Sequence, residues 1–165
     1  VEIKNVISGA FHCHIRFPKI LFNEGLTGHI EEKILIQLDT EPQHFEFNPE
    51  QHIINKFDIF TNIFTTPVDI LLSQKFYAII NRTRNKGRDF FDVVFLLGKG
   101  ILPNYDYLKL KLKITKREDL RKKIIHKCNE INMREMANDV APFLFYQKDI
   151  KKIELFKEYM LKATL

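Results

Sequence analysis

The chain has no tryptophan and only two cysteines, Cys13 and Cys128, which show no pairing pattern. A disulfide framework and a four-cysteine zinc site are therefore excluded, and reduced, buried thiols are expected. No apolar run approaches the roughly 20 residues of a membrane-spanning helix, and the opening "VEIKNVISGAF" lacks the sections of a signal peptide. These features lead us to expect a cytoplasmic protein. A Walker loop, a dinucleotide fingerprint and a Gly-x-Ser-x-Gly elbow are also missing, which removes the commonest nucleotide-cradling and serine-hydrolase signals.

What is present is a chain of 165 residues, 45% hydrophobic, with fifteen phenylalanines supplying most of the aromatic packing. That is enough material for one folded domain. The net charge of +5 suits a phosphate-rich partner, but so modest an excess decides little alone.

Up to about residue 66 the hydrophobic pattern has period two, in "FHCHIRFP", "EKILIQLDT" and "FDIFTNIFTT". Turns are expected at Ser8-Gly9, Pro18, Asn23-Glu24-Gly25 and Glu41-Pro42. Without long helices between these strands, an antiparallel or mixed sheet follows. After residue 66 the period becomes helical. Thr66-Pro67-Val68-Asp69 reads as a helix start, with Thr66 as the cap and a helix over 67–83. Further starts are read at Arg88-Asp89, Thr115, Asn132 and Asp149, and Pro142 interrupts the fourth helix. The expected fold is α+β, a strand-rich portion (1–66) followed by a helical portion (67–165) within a single domain.

The stretch Lys75 to Leu97, "KFYAIINRTRNKGRDFFDVVFLL", carries the chemistry. Leu72, Phe76 and Ile79 or Ile80 make the buried stripe of one helix. Lys75 and Arg82, seven positions apart, project from one face. Asn85-Lys86-Gly87 breaks the helix and Arg88-Asp89 opens the next, fixed to the core by Phe91, Val94, Phe95 and Leu97. Two cations and two carboxylates can then converge where the helices meet. The plainer alternative is that Asp89 caps its helix with Asp92 in support, that Arg88 pairs with a carboxylate at the surface, and that Lys75 and Arg82 form a solvated face.

Lys75, Ala78, Arg82, Lys86, Arg88, Asp89 and Asp92 match, in order and spacing, the C-terminal signature of the AbiEii-type nucleotidyltransferases, toxins of abortive-infection toxin–antitoxin systems used in phage defence. "EKILIQLDTEP" upstream resembles a strand of that family, and "EMANDVAPFL" downstream resembles its closing helical region. The resemblance implies metal-dependent transfer of a nucleotide from an NTP to an acceptor, with tRNA or another RNA as candidate, and Mg²⁺ as cofactor. It implies that Lys75 contacts the phosphates and that Arg82 and Arg88 add positive field. Asp89 and Asp92 would orient these cations or serve the attacking hydroxyl. An antitoxin is the implied protein partner.

The sequence departs from the family in one consequential way. It contains no Gly-Ser turn followed by Asp-x-Asp, and the strand position usually occupied by Glu is Gln37, a neutral amide. Asp39, on the same side of that strand, is the remaining candidate metal ligand. We expect the chain, which begins on Val, to be the C-terminal part of a longer nucleotidyltransferase. The alternative is a catalytically inactive, truncated interaction module that binds an antitoxin or nucleic acid.

Two other features read as ordinary structure. His12-Cys13-His14 offers two histidines on one strand face, too few for zinc. The lysine-rich run from Lys109 to Lys127 is either the wet side of amphipathic helices or a track for RNA phosphates.

Overall fold

The computed structural model describes residues 2–5 and 11–165, with residues 2–5 described as backbone only; the expected turn at Ser8-Gly9 lies outside these residues. The architecture is α+β, strands first and helices after, as expected. Two compact units divide at 44/45.

The first unit holds a three-stranded antiparallel sheet of β1 (Glu2–Asn5), β2 (Phe11–Pro18) and β3 (Lys33–Thr40), in that order, with a single turn of helix, α1 (Ile20–Asn23), between the last two strands. In the β2–β3 register His12 lies opposite Asp39 and His14 opposite Gln37. Because side chains alternate between faces, these four polar groups share one face of the sheet.

The second unit opens with a hairpin of β4 (Glu50–Lys56) and β5 (Ile59–Thr65). Phe57 and Asp58 connect the strands, and Phe57 turns the chain with φ 55°. The period-two pattern of "FDIFTNIFTT" puts Phe57 and Asp58 inside a strand. The left-handed backbone at Phe57 closes a two-residue turn instead, so the strand begins at Ile59.

Helices follow: α2 (Val68–Asn81), α3 (Gly87–Gly98), α4 (Tyr105–Leu112), α5 (Arg117–Glu130), α6 (Met133–Val140), α7 (Lys151–Glu154) and α8 (Phe156–Lys162). Their core contains Leu72, Phe76 and Ile79 of α2, Phe90 and Val93 of α3, Leu120 and Ile124 of α5, and Phe156 and Met160 of α8. Each such side chain, fully removed from water, contributes roughly 1.5–3 kcal/mol. The predicted α2 stripe is therefore correct. Of the predicted α3 stripe, Leu97 is buried and Phe91 and Val94 pack partly buried against the core, but Phe90, Val93 and Leu96 complete the inward face and Phe95 is exposed beneath the Lys99 ammonium, 4.4 Å from its ring centre.

Caps separate sound expectations from displaced ones. Asn132 accepts from the Arg134 and Glu135 N–H groups and starts α6 as expected. Thr66 does not cap α2, because Pro67 occupies the cap position in extended conformation and places Thr66 one residue too early. Lys116 takes the corresponding place before α5, which leaves Thr115 outside. Asp149 lies within a 3-10 turn, Gln147–Ile150, and pairs with Lys152 at 3.1 Å; the helical run beyond it is broken at Leu155 into α7 and α8.

The α4 helix went unpredicted. Asn104 builds it: its side-chain oxygen accepts from Tyr107 N–H at 2.9 Å and its amide donates to Asp69 at 2.9 Å. Ser73 completes the link by accepting from Asn104 N–H at 2.7 Å. One short network thus starts α4 and ties it to the first turn of α2.

Candidate functional site

The junction of α2 and α3 begins with the end of a helix. The chain leaves α2 at Arg82, which is extended, and Asn85 closes the helix end by donating to the Ile79 carbonyl at 2.7 Å, one of the carbonyls a helix end leaves free. The chain then reverses and Gly87 opens α3. No side chain of α3's own first turn caps it. Asp139 of α6 instead accepts from Gly87 N–H at 2.9 Å, bringing a carboxylate to the positive end of α3. Sequence reasoning missed Asp139. Its place in "EMANDVAPFL", a segment singled out for family resemblance, is the signal that could have found it.

This turn sets Asp89 facing α2. Lys75 Nζ lies 3.3 Å from Asp89 Oδ1 and 2.7 Å from Asp92 Oδ2, while Arg82 donates to Asp89 Oδ2. Asp89 is 1% exposed, the sole buried acid among the described residues. The Lys75 side chain is 24% exposed and that of Arg82 43%. Asp89 is therefore the buried anionic floor of the cluster, while Lys75, Arg82 and the partly exposed Asp92 reach toward solvent. Asp89 does not cap its helix: its carboxylate is occupied by Lys75 of α2 and by Arg82 just beyond that helix, and makes no cap hydrogen bond.

Arg88 does not join this group. It is exposed, makes no ion pair among the described residues, and lines a separate concavity of about 430 Å³ with Lys86, Asp139, Val140 and Phe143. Successive helical residues point about 100° apart, so Arg88 and Asp89 cannot serve one face. Four of the five predicted residues of the stretch converge and the fifth looks elsewhere.

On the sheet of the first unit, Asp39 has two partners. His12 Nδ1 stands 2.5 Å from Asp39 Oδ1, and the Gln37 amide donates to both carboxylate oxygens at 3.1 and 3.0 Å. The His12 contact, then the Gln37 bonds, hold the Asp39 carboxyl below its usual range. Asp39 is thus a carboxylate at neutral pH, but Gln37 brings no second charge beside it. Among the described residues no three His, Cys, Asp or Glu side chains come together as a metal-binding group. They do not by themselves fit a divalent metal, which takes several oxygen ligands. The pair His12 and His14 likewise lacks a third ligand.

In the lysine-rich run, Arg121 donates to the carbonyls of Met160 and, at 2.8 Å, Ala163, and Lys123 to that of Leu112 at 3.1 Å. These two cations close helix ends and are not available as part of a phosphate track.

Residues 2–160 match the family described as "Nucleotidyl transferase AbiEii toxin, Type IV TA system". The chain belongs to that family, the match covering nearly its whole length. No curated protein and no solved structure matches it. No helix among the described residues is long and apolar enough to cross a membrane.

Proposed function

We propose that this chain grips the triphosphate of an NTP and takes part in transferring its nucleotide to the hydroxyl of an RNA, with tRNA as the first candidate. The observation that carries this reading is the meeting of Lys75, Arg82, Asp89 and Asp92 where α2 and α3 join. In such a transfer the acceptor oxygen bonds to the α-phosphorus as the bond to pyrophosphate breaks. Negative charge then builds on the departing pyrophosphate. Lys75 is the group we assign to those phosphate oxygens, with Arg82 beside it; fixed cations stabilise such charge more than mobile water does. Asp89 and Asp92 hold both cations in place before substrate arrives, which limits reorganisation during reaction. Arg88, exposed and unpaired, is assigned to the acceptor side.

The family's chemistry calls for a divalent metal, and we propose Mg²⁺ with Asp39 as one carboxylate ligand. The described residues supply no second acid there, so none of the steps above depends on it. The cytoplasm, where NTPs and RNA are plentiful, is the proposed setting, and a cognate antitoxin the proposed protein partner.

The test is incubation of the protein with Mg²⁺, each α-labelled NTP and total tRNA. Label should appear on RNA, and Lys75→Ala should lower the rate by about 100-fold or more, the usual loss of one charge-stabilising donor. Transfer undiminished in Lys75→Ala would remove the site assignment. The neutral Gln37 amide beside Asp39, where the family strand carries Glu, favours a second reading, a non-catalytic module that binds antitoxin or nucleic acid. Absence of transfer with every NTP, alongside retained RNA binding, is the result that reading requires.

A further inference from the structure

We infer that the segment 143–146 and the cations Lys86, Arg88 and Lys148 form a platform on which an unpaired stretch of RNA stacks. The inference rests on the acceptor reading above and gives that acceptor a place on the surface.

The segment is built to present aromatic faces. Pro142 ends α6 in a 3-10 turn, Ala141–Phe143, closed by Leu144 N–H donating to the Ala141 carbonyl at 3.3 Å. Leu144 packs against the core. Its neighbours are thereby turned outward: Phe143 is 79% exposed, Phe145 100% and Tyr146 67%. Three large aromatics left in water within four residues are not explained by packing. Asp149 N–H donates to the Tyr146 carbonyl at 2.9 Å, which starts the next 3-10 turn and fixes the far end of the segment.

Positive charge borders these rings. Phe143 lines the concavity that holds Lys86 and Arg88, and Lys148 Nζ lies 5.7 Å from the centre of the Tyr146 ring. None of the three cations has an ion pair among the described residues. The one acid in the concavity, Asp139, already accepts from Gly87 N–H. Exposed rings beside unpaired cations match a polynucleotide, whose bases stack on aromatic side chains while its phosphates meet Lys and Arg. A single nucleotide offers one base and would leave most of this surface unused. A protein contact at this patch is the competing outcome, which the experiment below separates from RNA binding.

The experiment measures binding of a fluorescently labelled oligoadenylate RNA of about twelve nucleotides by anisotropy, across a salt series. The intact chain is compared with Phe143→Ala/Phe145→Ala/Tyr146→Ala and with Lys86→Ala/Lys148→Ala, each shown by circular dichroism to melt as the parent does. Loss of the rings should weaken binding by roughly 5- to 100-fold, the range expected for lost base stacking. Loss of the two lysines should lower the slope of log affinity against log salt by about 1.4. RNA affinity within twofold of the parent in the aromatic variant overturns the platform. So does a change of oligomeric state in that variant with RNA affinity unchanged, which would make the patch a protein contact. If the parent binds no RNA, the platform also fails. Binding of a fluorescent GTP analogue by the parent and by Lys75→Ala then reports separately whether the nucleotide reading stands.

Discussion

Gly87 and Met136 approach so closely that a Cβ placed on Gly87 would stand 2.0 Å from the Met136 carbonyl oxygen. The glycine's space is filled by the backbone of α6, which also carries Asp139 to the start of α3.

Gly87→Ala should therefore force α3 and α6 apart. Alanine favours a helix over glycine by up to about 1 kcal/mol, but a backbone carbonyl cannot rotate away as a side chain can, so the clash decides the sign. We expect a loss of about 1–3 kcal/mol in urea unfolding. An unchanged or raised midpoint would show that the helices separate without resistance.

Lys75 and Asp89 should respond differently to truncation. Lys75→Ala leaves Asp89 paired with Arg82 and removes a partly exposed cation, so a stability change below about 1 kcal/mol is expected. Asp89→Ala removes the buried acid from two cations and should cost about 1–3 kcal/mol, less than a fully buried pair because both cations can rehydrate. Loss of activity in Asp89→Ala alone would thus not identify a substrate contact. Denaturation of both variants checks this, and equal losses would refute the arrangement.

Tyr105→Phe should stabilise the protein. The Tyr105 hydroxyl is buried with no hydrogen-bond partner among the described residues, and burial, then Glu118, pushes its pKa up. Deleting the hydroxyl removes a desolvated polar atom while keeping the ring, for a gain of about 1 kcal/mol. A lower melting temperature would reveal a hidden partner.

Cys128 should resist thiol reagents. Burial raises its pKa from an ordinary value of 9.0 to about 11, which lowers the thiolate fraction at pH 8 by about 100-fold. Its contribution to pH-dependent stability has a definite sign. Below pH 9 both folded and unfolded thiols keep the proton. Between 9 and 11 the unfolded chain releases it first, so stability falls as pH rises. Ellman's reagent at pH 8 should label Cys128 slowly unless urea is added, and rapid labelling of the folded protein would contradict the burial.

The central helices were legible because their signals are local. Leu72, Phe76 and Ile79 repeat at helical spacing, and Lys75 and Arg82 fall on the face that meets Asp89. The direction of α3 was less legible: every position from Val93 to Leu97 is apolar, so periodicity could not show that Phe95 faces out. The α4 helix was hidden because Asn104 acts through Asp69 and Ser73, more than thirty positions earlier. Arg88 was grouped with its neighbours by adjacency, which a helix does not respect. The Asp139 contact with Gly87 spans 52 positions and no local pattern announces it.

Two positive and two negative groups make the α2–α3 cluster neutral as a whole. A distant triphosphate would feel little pull from it, and capture there would proceed by exchange of one anionic partner for another at contact range. Nucleotide affinity should then change little with ionic strength, in contrast to the steep dependence expected where cations stand unpaired.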